Sequence, residues 1–236
     1  MNNYGELEAY NLIEFWLSIP QSKREFIINY YKTSGAMFDF TEIYSGPIKY
    51  SAEHGPIHIL ELLIVGKDIE ILNLCFTKFL EYNEENYCIN SIWARERVVY
   101  YQELIDYLKS CNDRPELVKD LENAKQTNIY WKDYYFFMST CIKEYYRYYY
   151  QKLISVDKFI ECCNNIFRHV EDIIPNLKLR GLYPGRCLAL EQMGIYLEKK
   201  KLYKECITLM IQGKNQGWTN DFERRITRCT NKLMKA

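Results

Sequence analysis

The 236-residue sequence predicts an all-α protein made of antiparallel helical hairpins. Three observations carry that prediction. Apolar residues recur at i, i+3, i+4 and i+7 along nearly the whole chain, the spacing that lines one face of a helix. Glycine (10) and proline (6) are too scarce to supply the closely spaced turns that a β-sandwich or barrel needs. The exception is residues 35–56, which hold three of those glycines and two of those prolines and keep no helical period, so this stretch reads as one long loop. Hydrophobic residues at 48% and charged residues at 26% place the chain among globular proteins and away from disordered ones.

Taken in order, a first helix is expected near Asn3–Ser18, ended by Pro20, and a second from Ser22 as N-cap to about Thr33. The loop 35–56 carries Phe38, Phe40, Tyr44 and Tyr50, which suggests that it packs down and offers a second binding surface. Helices then follow at about Pro56–Val65, Asp68–Glu81, Ser91–Ser110, Pro115–Gln126 and Asn128–Leu153. The last carries Tyr134, Phe137, Met138, Cys141, Tyr145, Tyr148 and Tyr149 on one stripe, widened by Tyr135, Tyr146 and Tyr150, so it should lie between neighbours on two sides. A strongly amphipathic helix is expected from a Ser155 cap to Ile174, stopped by Pro175. The organisation expected is an N-terminal helical region over 1–127, with the long loop, and a C-terminal helical region over 128–236.

Residues 186–218 read RCLALEQMGIYLEKKKLYKECITLMIQGKNQGW. One helix carries Leu190, Met193, Gly194 and Leu197, and after a short turn a second carries Tyr203, Cys206, Met210 and Gly213. This pattern resembles a tetratricopeptide repeat, in which two antiparallel helices cross closely where side chains are small. Cys206 stands where that family usually has alanine, and a helix over Thr219–Lys235 would cap the pair. A degenerate earlier copy pairs Tyr146, Tyr149, Tyr150 and Leu153 with Phe159, Cys162, Ile166 and His169, with bulky Tyr150 where a small residue is expected. The resemblance implies a tetratricopeptide-like, α-solenoid-like stack over roughly 130–236, whose groove would take a protein or peptide partner. The residues expected to line the inner helices are Tyr145, Tyr149, Arg186, Leu190 and Tyr196.

Charge and cysteine usage narrow the function classes. Lysine plus arginine and aspartate plus glutamate balance at 31 each, so no global field attracts nucleic acid or an anionic membrane. From Cys187 to Ala236 ten basic residues face five acidic ones, a net of +5 that leaves −5 for residues 1–186. A solvated helix face explains this excess, and an acidic partner would exploit it. The 22 tyrosines fit either stacking surfaces or an A/T-rich coding sequence. The nine cysteines are odd in number and form no C-x-x-C pair, and several sit on apolar stripes, so they read as reduced core residues of a cytoplasmic protein. No basic segment precedes the first apolar stretch, and the longest apolar run, Ile57–Val65, is broken by His58 and Glu61, so neither export nor a membrane span is expected.

Reactive constellations are sparse. His54 and His58 stand four apart beside Glu53 and Glu61, but Gly55 and Pro56 intervene and a third ligand is lacking, so no metal and no cofactor are expected. No phosphate loop, dinucleotide fingerprint or nucleophile elbow occurs. Glu84-Glu85 and Arg95-Glu96-Arg97 read as solvated charges. The expected function is therefore non-enzymatic protein binding, in a narrower form as an inhibitor, immunity or anti-defence protein. Two other classes stay open: an enzyme with a dispersed site around His54, His58 and Glu61, and a nucleic-acid binder through Lys199–Lys201, Arg224, Arg225 and Arg228.

Overall fold

The computed structural model describes residues 7, 11–34, 55–66, 68–82, 102–111, 115–116, 118–119, 122, 130–179 and 185–235. Among these residues all regular structure is helical, and no helix is long and apolar enough to cross a membrane. The chain divides into two compact units, Met1–Phe137 and Met138–Ala236, and the division falls inside the longest helix.

In the first unit the predicted Asn3–Ser18 helix is interrupted. Asn11 takes a φ of 56°, a left-handed conformation that asparagine tolerates better than most residues, and the Leu12 amide donates to the Leu7 carbonyl at 2.7 Å. Helix α1 (Ile13–Ser18) starts only after that turn and buries Trp16. Helix α2 (Gln21–Ser34) begins two residues earlier than a Ser22 cap implies, because the Pro20 carbonyl accepts the Lys23 and Arg24 amides at 2.9 and 3.1 Å. Ser22 therefore lies inside the first turn and is not the cap.

Helix α3 (Pro56–Leu63) opens on proline, whose missing N–H has no partner to lose at that position. It buries Ile57, Ile59, Leu60 and Leu63. The amide of Gly55, just ahead of it, donates to the buried Asp133 carboxylate at 3.0 Å. Helix α4 (Ile69–Phe79) is capped by Asp68, which accepts the Glu70 and Ile71 amides at 2.9 and 3.2 Å. Lys23 of α2 pairs with Asp68 and reaches Glu70 at 3.2 Å, while the Tyr31 hydroxyl donates to the Leu62 carbonyl. Burial pushes that phenol up to about 12. The α3–α4 turn requires glycine: Gly66 has a φ of 65°, and a Cβ there would lie 2.0 Å from the Phe26 ring.

Helix α5 (Tyr130–Tyr150) carries the predicted aromatic stripe. At its start Phe79 stacks on Phe137 with centroids 4.5 Å apart, and Tyr134 lies 5.3 Å from Phe79. Residues 102–110 are helical as well, and Ile105, Leu108 and Val118 form a small buried cluster. Predicted features at 35–54 and 83–101, including His54, Glu84-Glu85 and Arg95–Arg97, lie outside the described residues.

The second unit corrects the helix expected from Ser155 to Ile174. Helix α6 (Asp157–Arg168) ends at His169, and α7 (Val170–Leu179) continues with Pro175 inside it. The break falls six residues before the proline: the His169 carbonyl accepts the Asp172 and Ile173 amides and starts a new helix. Pro175 and Glu171 are both exposed, so water can serve the Glu171 carbonyl that proline leaves without an amide. Ser155 donates to the Asp157 carboxylate and caps no backbone group.

Helices α8 (Leu188–Lys199), α9 (Tyr203–Asn215) and α10 (Phe222–Leu233) complete the unit. They run up, down and up. Along the α8–α9 hairpin the Cys206 thiol reaches the Gly194 carbonyl at 3.5 Å, and a Cβ on Gly213 would come within 2.5 Å of Leu190. Between α9 and α10 the Cys206 and Cys229 sulfurs are 3.6 Å apart, and Lys214 pairs with Glu223. The start of α8 is tied to the start of α10 by two reciprocal bonds of Asn220: its carbonyl accepts the Cys187 amide at 2.9 Å, and its amide donates to the Cys187 carbonyl at 3.0 Å. Helices α6 and α8 pack antiparallel, with Phe159 against Tyr196 and the Cys163 thiol against the Ala189 carbonyl.

Candidate partner-binding surface

The five residues expected to line a groove separate by burial. Tyr145 is fully buried and Leu190 is 1% exposed, so both build the core and present no surface. Tyr149 and Tyr196 are half-buried and meet edge to face with centroids 5.9 Å apart. They continue an aromatic row through Phe159, 6.0 Å from Tyr196, to Tyr146, 5.1 Å from Phe159. Arg186 is exposed, stands ten residues before Tyr196 at the other end of α8, and approaches Glu191 at 3.8 Å. Lysines border the row: Lys199 lies 4.4 Å over the ring of exposed Tyr150, and Lys200 lies 5.8 Å from the Tyr196 ring.

A groove of about 540 Å³ opens where α6, α8 and α9 meet. Phe167, Met193, Leu197 and Leu209 give it an apolar lining, and Asn164, Lys204, Glu205, Thr208 and Gln212 surround that lining with exposed polar side chains. The helical hairpin creates it. Gly194 and Gly213 let α8 and α9 approach closely, and half-buried Leu197 and Leu209 stay partly open beside Phe167 of α6. Residue periodicity separates a buried stripe from a solvated one, but it does not reveal which half-buried neighbours stay open. Met193 and Leu197 at i, i+4 on α8 and Thr208 and Gln212 at i, i+4 on α9 are the legible trace of this groove.

The basic residues named for a nucleic-acid contact fall into separate groups, and two of them are partly neutralised. Glu198 of α8 accepts from Arg228 Nε and Nη2 at 2.7 and 2.6 Å, from Lys232 at 2.8 Å and from Arg225 at 3.4 Å. Burial alone would raise the Glu198 carboxyl, but the hydrogen bonds from Arg228 and Lys232 outweigh it and hold the group down at about 2. Arg225 and Arg228 are thus bound to α8, whereas Arg224 is exposed and lies 3.8 Å from Asp221. Lys199, Lys200 and Lys201 are all exposed at the α8–α9 turn.

Of the residues named for an enzymatic site, His58 Nδ1 lies 3.7 Å from Glu61 on α3, one turn along the same helix. Among the described residues no group of three or more histidine, cysteine, aspartate or glutamate side chains is placed to hold a metal ion. The chain matches no protein-family profile, no curated protein and no solved structure.

Proposed function

We propose that the chain is a non-enzymatic binding module whose C-terminal helices seat a segment of a partner protein in the α6–α8–α9 groove. The observation that carries this reading is the groove itself: an open cleft of about 540 Å³ with an apolar floor and a hydrogen-bonding rim, on a scaffold fixed by close helix crossings. Its size suits a few side chains of a docked segment, which the floor can desolvate while the rim sets register. The up–down–up order of α8, α9 and α10, with glycine at both close crossings, supports the tetratricopeptide-like description of this region. An inhibitor or immunity protein is the narrower form of the same reading, since such proteins act by occupying a partner's surface.

The test is capture from a native lysate on the immobilised full chain, beside a Thr208→Arg/Gln212→Arg variant. Both residues are exposed at the groove, so the variant blocks it without disturbing the core. A protein held stoichiometrically by wild type and lost from the variant supports the reading. Absence of any protein, with a metal or small molecule retained instead, overturns it.

A further inference from the structure

Resting on the protein-binding reading above, we infer that the exposed face of α10 is a second contact surface, one that takes an acidic helical segment of the partner. A hollow of about 490 Å³ on this face is lined by Arg224, Thr227, Arg228, Asn231, Lys232 and Lys235. All six are cations or hydroxyl or amide donors, and no carboxylate lines the hollow. Their spacing of i, i+3, i+4, i+7, i+8 and i+11 puts them on one side of the helix, a row about 16 Å long at the helical rise. Cations at i, i+4 and i+8 are about 6 Å apart along the axis, the spacing of carboxylates at i, i+4 and i+8 on a helix laid beside them.

Two of the cations are already held in place. Arg228 and Lys232 bind Glu198 on one side yet keep 42% and 45% of their side-chain surface exposed. Arg228 gives Nε and Nη2 to Glu198, which leaves guanidinium donors for a second carboxylate, and the ammonium of Lys232 has three donors. An incoming acid therefore meets side chains already oriented in part by Glu198, which lowers the entropy cost of binding. The same arrangement disfavours a nucleic acid. Asp221 and Glu223 bound the row at its N-terminal end. A backbone of continuous charge would have to pass those acids, whereas a segment of about three helical turns stops short of them.

The test uses the full chain and fluorescence anisotropy with three labelled probes: a peptide of about 16 residues with glutamate at every fourth position, the same peptide with glutamine in those positions, and oligothymidylate of about 20 nucleotides. Wild type is expected to bind the glutamate peptide at least about fivefold more tightly than the glutamine peptide. An Arg224→Gln/Lys235→Gln variant should lose most of that preference, and it leaves the Glu198 contacts intact, so it folds as wild type does. Equal affinity for the two peptides, an unchanged preference in the variant, or tighter binding of oligothymidylate would each overturn the inference. The two proposals fail separately. A captured partner that is lost from the groove variant and retained by Arg224→Gln/Lys235→Gln sinks the acidic contact alone, while a lysate capture without protein sinks the binding module itself.

Discussion

Four single residues make one turn that composition hides. Asn11, Lys152, Lys201 and Gly217 all have positive φ, and in each case the next residue sends its amide back to the carbonyl five positions earlier: Leu12 to Leu7, Leu153 to Tyr148, Leu202 to Leu197 and Trp218 to Gly213. This is the left-handed C-terminal cap that glycine usually occupies. Three of the four sites carry a side chain that disfavours it, so the stops after Tyr150 and Lys199 are not marked in the sequence as the one at Gly217 is. Relief of that strain is measurable. Lys152→Gly should stabilise the protein by about 0.5 kcal/mol, the strain removed less the greater entropy of glycine in the unfolded chain, read as a higher urea midpoint. Gly217→Ala should destabilise the protein by about 1 kcal/mol, read as a lower urea midpoint, through backbone conformation alone, because an added Cβ there meets nothing within 4 Å. Equal midpoints for both variants and wild type would refute the argument.

Among elements, Glu198 fastens the later turns of α10 to the end of α8, as Asn220 ties their starts. Its folded carboxyl sits at about 2 against an ordinary 4.5, so the stabilisation is complete above pH 4.5 and is lost as pH falls through 2. The full shift overstates the energy, since Arg228 and Lys232 are nearly half exposed to solvent. Glu198→Gln should therefore cost about 2 kcal/mol near neutral pH, and its stability should fall less steeply than that of wild type between pH 4.5 and 2. Parallel acid profiles followed by circular dichroism would count against this role. Helices themselves were legible at this scale wherever an apolar stripe was long: the aromatic row of α5 follows from period, and the α8–α9 hairpin was legible through the resemblance of residues 186–218 to a helical repeat. The break at His169 was not, because the stripe Phe159, Cys162, Ile166, Val170 and Ile173 runs through it in unbroken register. The candidate site was legible only in part. Tyr145 shares the stripe of α5 with Tyr149, and period cannot say which members of a stripe the next helix will cover; Leu190 lies instead on the buried stripe of α8 with Met193 and Gly194, about 120° around the helix from Tyr196.

For the whole molecule, the cysteines offer the simplest check on packing. Of the nine in the chain, Cys75, Cys141, Cys162, Cys163, Cys187, Cys206 and Cys229 are free and buried, Cys111 is free and exposed, and Cys88 lies outside the described residues. Burial pushes the Cys187 and Cys206 thiols up to about 12, so the reactive thiolate is scarce at ordinary pH. Titration of the native protein with a chromogenic disulfide reagent should show Cys111 reacting promptly and the seven buried thiols only after denaturant. Cys111→Ser should lower the prompt count by one. Prompt reaction of several buried thiols would mean that the helices open readily. The expectation of core cysteines came from their place on apolar stripes, and it holds for those seven; Cys111 lies just past the helical stretch 102–110, where the stripe has ended.

The Asn220 clasp has a consequence for how the C-terminal helices come together. It joins residues 33 apart, and closing a loop of that length costs about 3 kcal/mol in chain entropy. Two ordinary hydrogen bonds return about 1 kcal/mol each. The clasp cannot gather α8 and α10 from an open chain. It can form only once the glycine-tight hairpin has drawn the two helix starts together, so during folding it latches late, onto a hairpin that is already built.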